Sequence, residues 1–326
     1  MLVGLGAGGV SLLAGCSSSS TGSPSPETGT RRPPTAENGA TATETTSTVT
    51  GTASPTPTGT GTEDGRQLLY LYGDVAADGS VPSGDAEPFH QMRLSDSGAR
   101  GLSEFRAELE SAGFTPEERY DAETTLSASF LEGYDVVVLG SNQHRFTDEE
   151  RRAVGDWVED GGGLVAWSDS AFGGHYNQVG VCNPAGSRSD NDLTTQFGMT
   201  FLRDNGAGRY QVEEYTQDHF LNDGDSDGGV VFRGEGVSPV RVSSPATVLA
   251  PLQSGPLGGK LRVCEEDRPY QPERDAALAV ASVGSGRVVG TFDRNTFWND
   301  GEGTSLSEVD NREYALRLVR WAAGEG

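Results

Sequence analysis

The sequence predicts an α/β fold: a doubly wound, mostly parallel flavodoxin-like sheet with an irregular β-rich insertion. Three runs predict it. Tyr134-Asp135-Val136-Val137-Val138-Leu139-Gly140 is apolar and β-branched without alternation, as in a strand covered on both faces. Leu164-Val165-Ala166-Trp167 repeats that character after a segment of helical spacing. Leu68-Leu69-Tyr70-Leu71-Tyr72 comes first and ends in Gly73-Asp74, a buried strand and its exit turn. Strands alternating with helices imply right-handed crossovers and a parallel sheet.

Each element has its own signal. Leu102, Phe105 and Leu109 mark one face of a helix, and Ala112-Gly113-Phe114 turns it into a return strand. Thr147-Asp148-Glu149-Glu150 is a capping box, with Glu150 at the third helical position. Val154, Trp157 and Val158 give that helix an inward face, and Gly161-Gly162-Gly163 ends it. Between residues 172 and 273 the chain is rich in Gly, Asn and Asp, with strands expected at 230–232, 240–242 and 247–249. Residues 277–283 and 286–292 read as a hairpin, and a last helix is expected over 310–322.

The formal charge is -24 over 326 residues, and Lys260 is the one lysine, so nearly all positive charge is arginine. Such a surface suits molar salt, where the screening length falls to about 3 Å. It is the composition expected of an extreme halophile. Binding to nucleic acid is not expected, because no basic stripe exists to replace phosphate counterions. No segment approaches the ~20 apolar residues of a spanning helix.

Residues 1–16 read as the apolar core of a signal peptide, and Leu13-Ala14-Gly15-Cys16 resembles the lipobox of secreted lipoproteins. That resemblance implies lipidation of Cys16 and a place on the extracellular face of the cell membrane. Residues 17–65 are almost entirely Ser, Thr, Gly, Pro and Ala, a composition expected to form a disordered stalk. Residues 66–326 are long enough to bury a sizeable core.

The block 134–140, with Phe146-Thr147-Asp148-Glu149-Glu150 and Val158-Glu159-Asp160-Gly161-Gly162-Gly163-Leu164, resembles the class I glutamine amidotransferase-like superfamily. Within it, the chain is similar to the non-catalytic branch of ThuA-like, intraflagellar-transport and gliding-motility proteins. Asp190-Asn191-Asp192-Leu193, Phe197-Gly198-Met199 and Asp218-His219-Phe220-Leu221 agree with that group's middle segment. Residues 286–292, Asn311 and Leu318-Val319-Arg320-Trp321 agree with its last strand and helix. Amidotransferase chemistry needs an activated cysteine on the strand-to-helix turn. Here 164–167 lead into Ser168-Asp169-Ser170, with no cysteine and no Gly-x-Ser-x-Gly elbow. Ser168 or Ser170, with His175 nearby, is the nucleophilic alternative.

Ligands in doubly wound sheets bind beyond the carboxyl ends of the strands. The candidate ligand-binding residues are therefore Asp74, Ser141, Asn142, His144, Ser168, Asp169, His175, Asp293 and Asn295, with Arg294 among them in sequence. The alternative is that they cap helices and tie loops. Oxygens of Asp, Asn and Ser suit calcium or magnesium, but no metal-binding spacing supports an ion, and no cofactor is expected. Phe292, Phe297 and Trp298 flank the last cluster and would either stack on a sugar ring or fill the core. Cys182 and Cys264 are expected to pair outside the cell, with two buried thiols or a nucleophilic Cys182 as alternatives. Three functions follow as expectations. The first is a non-enzymatic module binding a glycan, peptide or envelope protein. The second is a carbohydrate hydrolase using Asp169, His175 or Asp293. The third is a structural envelope component.

Overall fold

The computed structural model describes residues 65–73, 92–140, 143–167, 189–202, 206–224, 229–252, 262–263, 266–267, 271–301 and 303–326. The chain divides into two compact units, Met1–Gly59 and Thr60–Gly326, and every described residue belongs to the second. The expected signal peptide, Cys16 and the stalk through residue 64 lie outside the described residues.

The strands are β1 (Arg66–Tyr72), β2 (Phe114–Tyr120), β3 (Val136–Leu139), β4 (Gly163–Trp167), β5 (Met199–Phe201), β6 (Gly206–Val212) and β7 (Phe232–Val237). They continue with β8 (Val240–Val242), β9 (Thr247–Pro251), β10 (Arg262–Val263), β11 (Glu266–Asp267), β12 (Asp275–Val283) and β13 (Gly286–Thr291). The helices are α1 (Ser103–Ser111), α2 (Ala128–Leu131), α3 (Asp148–Glu159), α4 (Asp190–Thr194) and α5 (Asn311–Ala322).

Nine strands form the main sheet, in the order β2-β1-β3-β4-β13-β12-β8-β5, with β9 also paired to β12. Every pairing from β2 through β13 is parallel. From β12 outward the pairings are antiparallel. Counted along the chain, the parallel strands have the flavodoxin order, first strand second and last strand at the far side. β6 and β7 form a separate antiparallel pair, as do β10 and β11.

The unbroken apolar runs are explained by two covered faces. Leu68, Tyr70, Val136, Val138, Val165, Trp167 and Val289 pack with Phe105 and Leu109 of α1 and with Tyr314 and Leu318 of α5. The alternate residues Leu69, Leu71, Val137, Leu139, Leu164, Ala166 and Val288 pack with Val154 and Val158 of α3. Each such side chain contributes about 1.5–3 kcal/mol when fully buried.

The capping box forms as the sequence predicts. Glu150 N–H donates to Thr147 Oγ1 at 3.2 Å, and Thr147 N–H donates to Glu150 Oε2 at 2.9 Å. The expected hairpin is β12–β13, turning at Gly284-Ser285. Gly284 has φ +58°, and a Cβ there would lie 2.2 Å from Glu159 O at the end of α3, so the turn requires glycine twice over.

The insertion differs in detail from the sequence expectation. The strand expected at 230–232 is displaced to Phe232–Val237, and β5, β6 and α4 appear where no local periodicity marked them. β5 is three residues long and is held by pairing with β8, some forty residues later in the chain. That pairing is non-local, so no window of sequence reports it.

Candidate functional site

The carboxyl ends of β2, β1, β3, β4 and β13 open on one edge of the sheet, the edge at which doubly wound folds hold ligands. The topological switch lies between β1 and β3.

At one side of this edge, the exits of β2 and β3 are clasped together. His144 donates its backbone N–H to Asp121 Oδ2 at 2.7 Å, and its Nδ1 lies 2.9 Å from Asp121 Oδ1. The Asp121 side chain is 1 % exposed, and burial raises its pKa against the opposing pull of His144. Tyr120 meets the His144 ring edge-on and stacks on Tyr72, whose ring carries the Arg93 guanidinium at 4.6 Å. Arg93 in turn forms a 2.7 Å ion pair with Glu118. The segment after His144 is fastened as well: Arg145 is bidentate on Asp192, and Phe146 N–H donates to the same carboxylate.

At the switch itself, Tyr70 donates its hydroxyl to Met92 O at 2.6 Å, and burial holds that phenol well above its ordinary pKa. Gly140, the exit of β3, lies against this hydroxyl, and a Cβ would come within 2.4 Å of it. Gln143 is wholly buried and donates its amide to Leu71 O at 3.1 Å. Its backbone carbonyl accepts from Ser189 Oγ at 2.7 Å.

On the far side, β13 runs into Phe292, Asp293, Arg294 and Asn295, all buried. Asp293 Oδ2 accepts from Glu235 N–H at 2.7 Å, and Oδ1 accepts from Asn295 N–H at 3.0 Å. Asn295 Nδ2 donates to Glu235 O at 3.0 Å, so the β13 exit is tied to β7. Phe297 and Phe292 are completely buried, while Trp298 is half-buried under Arg100 and donates Nε1–H to Met92 Sδ. Core packing is thus the role of both phenylalanines.

Of the residues singled out from sequence, the structure places His144 beside Asp121 and Asp293 beside Asn295. Four strand spacings of about 4.8 Å separate the β2 and β13 exits, so these are two clusters, not one. Asp74, Ser141, Asn142, Ser168, Asp169 and His175 lie outside the described residues, as do Cys182 and Cys264. Among the described residues no group of three His, Cys, Asp or Glu could hold a metal ion. No helix among them is long and apolar enough to cross a membrane.

Sequence reasoning missed Asp121, Gln143 and Trp167. Gln143 sat inside the polar exit set 141–144 and could have been included. Trp167 reads as a core residue, and its burial gave no hint that its N–H lacks a partner among the described residues.

Comparison with known proteins places this architecture. Residues 95–319, more than half the chain, match the family model described as Domain of unknown function (DUF4350). The chain belongs to this family. No curated protein matches this DUF4350 chain. The solved structure described as the mmIFT52 N-terminal domain matches with a TM-score of 0.53 and 11 % identity, covering 79 % of this chain and 98 % of that one. A protein described as ThuA-like from Bacteroides uniformis matches with a TM-score of 0.48 and 14 % identity, covering 83 % of this chain and 95 % of that one. At such identity the likeness of the first is one of fold.

Proposed function

We propose that this DUF4350 chain is a non-enzymatic binding module, tethered by a lipid on Cys16 and held off the outer face of the membrane by its stalk. In this reading the domain is a glutamine amidotransferase-like fold without the nucleophile, and its partner is a glycan, a peptide or an envelope protein.

One observation supports binding over hydrolysis most directly. Asp293, the described carboxylate on which a hydrolase would draw, is completely buried, and each of its oxygens accepts a backbone N–H. A carboxylate whose two oxygens are both taken up by backbone N–H groups in the interior fixes a loop and is closed to a substrate, which suits a scaffold better than a general acid. The lipobox-like Leu13-Ala14-Gly15-Cys16 followed by a Ser/Thr/Pro/Gly tract supports the tether.

Two measurements test this. Cys16→Ser is expected to move the full chain from the membrane fraction to the medium; equal membrane partition of both forms would overturn the tether. Incubating the purified chain in molar salt with a panel of glycosides and peptides is expected to raise its melting temperature without releasing product. Chain-dependent product release would overturn the non-enzymatic reading.

A further inference from the structure

Beyond β6 the chain enters a turn-rich segment, 213–224, that is fastened to the core on both sides. Thr216 donates its N–H to Leu249 O of β9 at 2.9 Å, and its Oγ1 donates to Val248 O at 2.7 Å. Tyr215 donates its hydroxyl to Val230 O at 2.5 Å. Asn222 closes the segment on itself: Oδ1 accepts from His219 N–H at 2.9 Å, and Nδ2 donates to Gln217 O at 2.7 Å. Between these ties lies an open groove of about 500 Å³, a size that suits a small ligand. Glu213, Tyr215, Thr216, Gln217, Asp218 and Asn222 line it.

The lining has one chemical bias. Glu213 and Asp218 are exposed carboxylates, which only accept, and neither side chain is engaged among the described residues. Tyr215 and Thr216 have already committed their hydroxyl hydrogens, so lone pairs are what they have left. Both amide atoms of Asn222 are taken up within the segment. Of these six side chains, Gln217 is the one that keeps N–H donors to offer, and no arginine, lysine or histidine is among them. Such a groove is matched by a ligand with many donors, either an organic cation or a hydroxyl-rich neutral molecule. The -24 charge suits molar salt, where inorganic cations contend for every carboxylate and Coulomb attraction is screened beyond about 3 Å. That removes most of a cation's advantage. Hydroxyl-to-carboxylate hydrogen bonds are charge-assisted and act at contact, inside the screening length.

We propose that this groove binds a neutral sugar, whose hydroxyl groups donate to the Glu213 and Asp218 carboxylates while one accepts from the Gln217 amide. The assignment rests on the binding-module reading and chooses the glycan among its partners. It also moves the ligand away from the strand exits, where the described carboxylates Asp121 and Asp293 are committed to internal contacts. Because the segment is fastened before a ligand arrives, little ordering remains to oppose binding.

The test titrates the full chain in molar potassium chloride with the methyl α-glycosides of glucose, mannose and galactose, following heat. Spermidine and argininamide serve as the cationic comparisons. Glu213→Gln and Asp218→Asn keep size while exchanging an acceptor for a donor. At least one glycoside is expected to bind saturably, with each variant weakening it roughly ten-fold, the loss of one hydrogen bond to a charged group. Both side chains are exposed, so the ligand-free melting temperature is expected to stay where it is. Either variant decides the test should the other fail to fold. Glycoside binding indifferent to both variants would overturn this site and leave the binding module standing. Saturable binding of spermidine or argininamide, but of no glycoside, would overturn the ligand class. No saturable binding of any probe would overturn the proposal outright, while a peptide or protein partner would remain for the module. Turnover of a glycoside, weakened by both variants, would support the site while overturning the non-enzymatic reading.

Discussion

Asp293 shows how a single side chain can settle a loop. Its two oxygens collect the backbone N–H groups of Glu235 and Asn295, so β7 and the β13 exit share one acceptor. Asp293→Asn turns one of those oxygens into a donor facing a donor and leaves a buried backbone N–H unmatched. The expected cost is about 1.5–3 kcal/mol of stability, measured by denaturant unfolding in molar salt. Asp121 behaves differently, since burial outweighs the help of His144 and raises its pKa. The folded chain then holds this proton more tightly than the unfolded one. Stability from Asp121 is fully present below the ordinary carboxylate range, and is lost as pH rises through the elevated folded value. As pH is raised from about 4 towards neutrality, the wild-type melting temperature should therefore fall relative to Asp121→Asn. A difference between the two that does not vary with pH would contradict this.

At the scale of elements, α3 carries the clearest local instruction in the chain. Its capping box was legible because Thr147 and Glu150 meet their partners within one turn. Glu150 also accepts from Leu126 N–H at 3.2 Å, which ties the α2 approach to the start of α3. Thr147→Ala should cost about 1 kcal/mol, seen as a lower melting temperature. The same locality explains what else could be read. β1, β3, β4 and the β12–β13 hairpin announce themselves by runs of apolar residues, and α5 by its spacing. β5, β6 and α4 do not, because partners distant in sequence define them. The site was less legible for a similar reason: strand exits can be found by eye, but the burial of Gln143 Oε1 and Trp167 Nε1 exists only in the assembled sheet.

Over the whole molecule, charge and topology set the terms. The described ion pairs are mostly at the surface, as where Arg312 bridges Glu104 and Glu108 with all three side chains part-exposed. Such pairs add little individually, and less in salt. The excess of acid therefore acts mainly as repulsion. Lowering salt from molar to 0.1 M extends screening from about 3 to about 10 Å and should lower the melting temperature. A chain equally stable at both salts would show that its -24 charge is no adaptation to brine.

The place of β13 in the sheet has a consequence for biosynthesis. β4 pairs with β3 on one side, but its other neighbour is β13, whose first residue, Gly286, emerges more than a hundred residues after Trp167. Until then the nascent chain holds an apolar strand, Gly-Leu-Val-Ala-Trp, with one row of backbone donors and acceptors open. An exposed edge of that kind recruits other strands. The half-made protein is thus most prone to self-association late in synthesis, and α5, which shields the β1–β3–β4 face, arrives last of all.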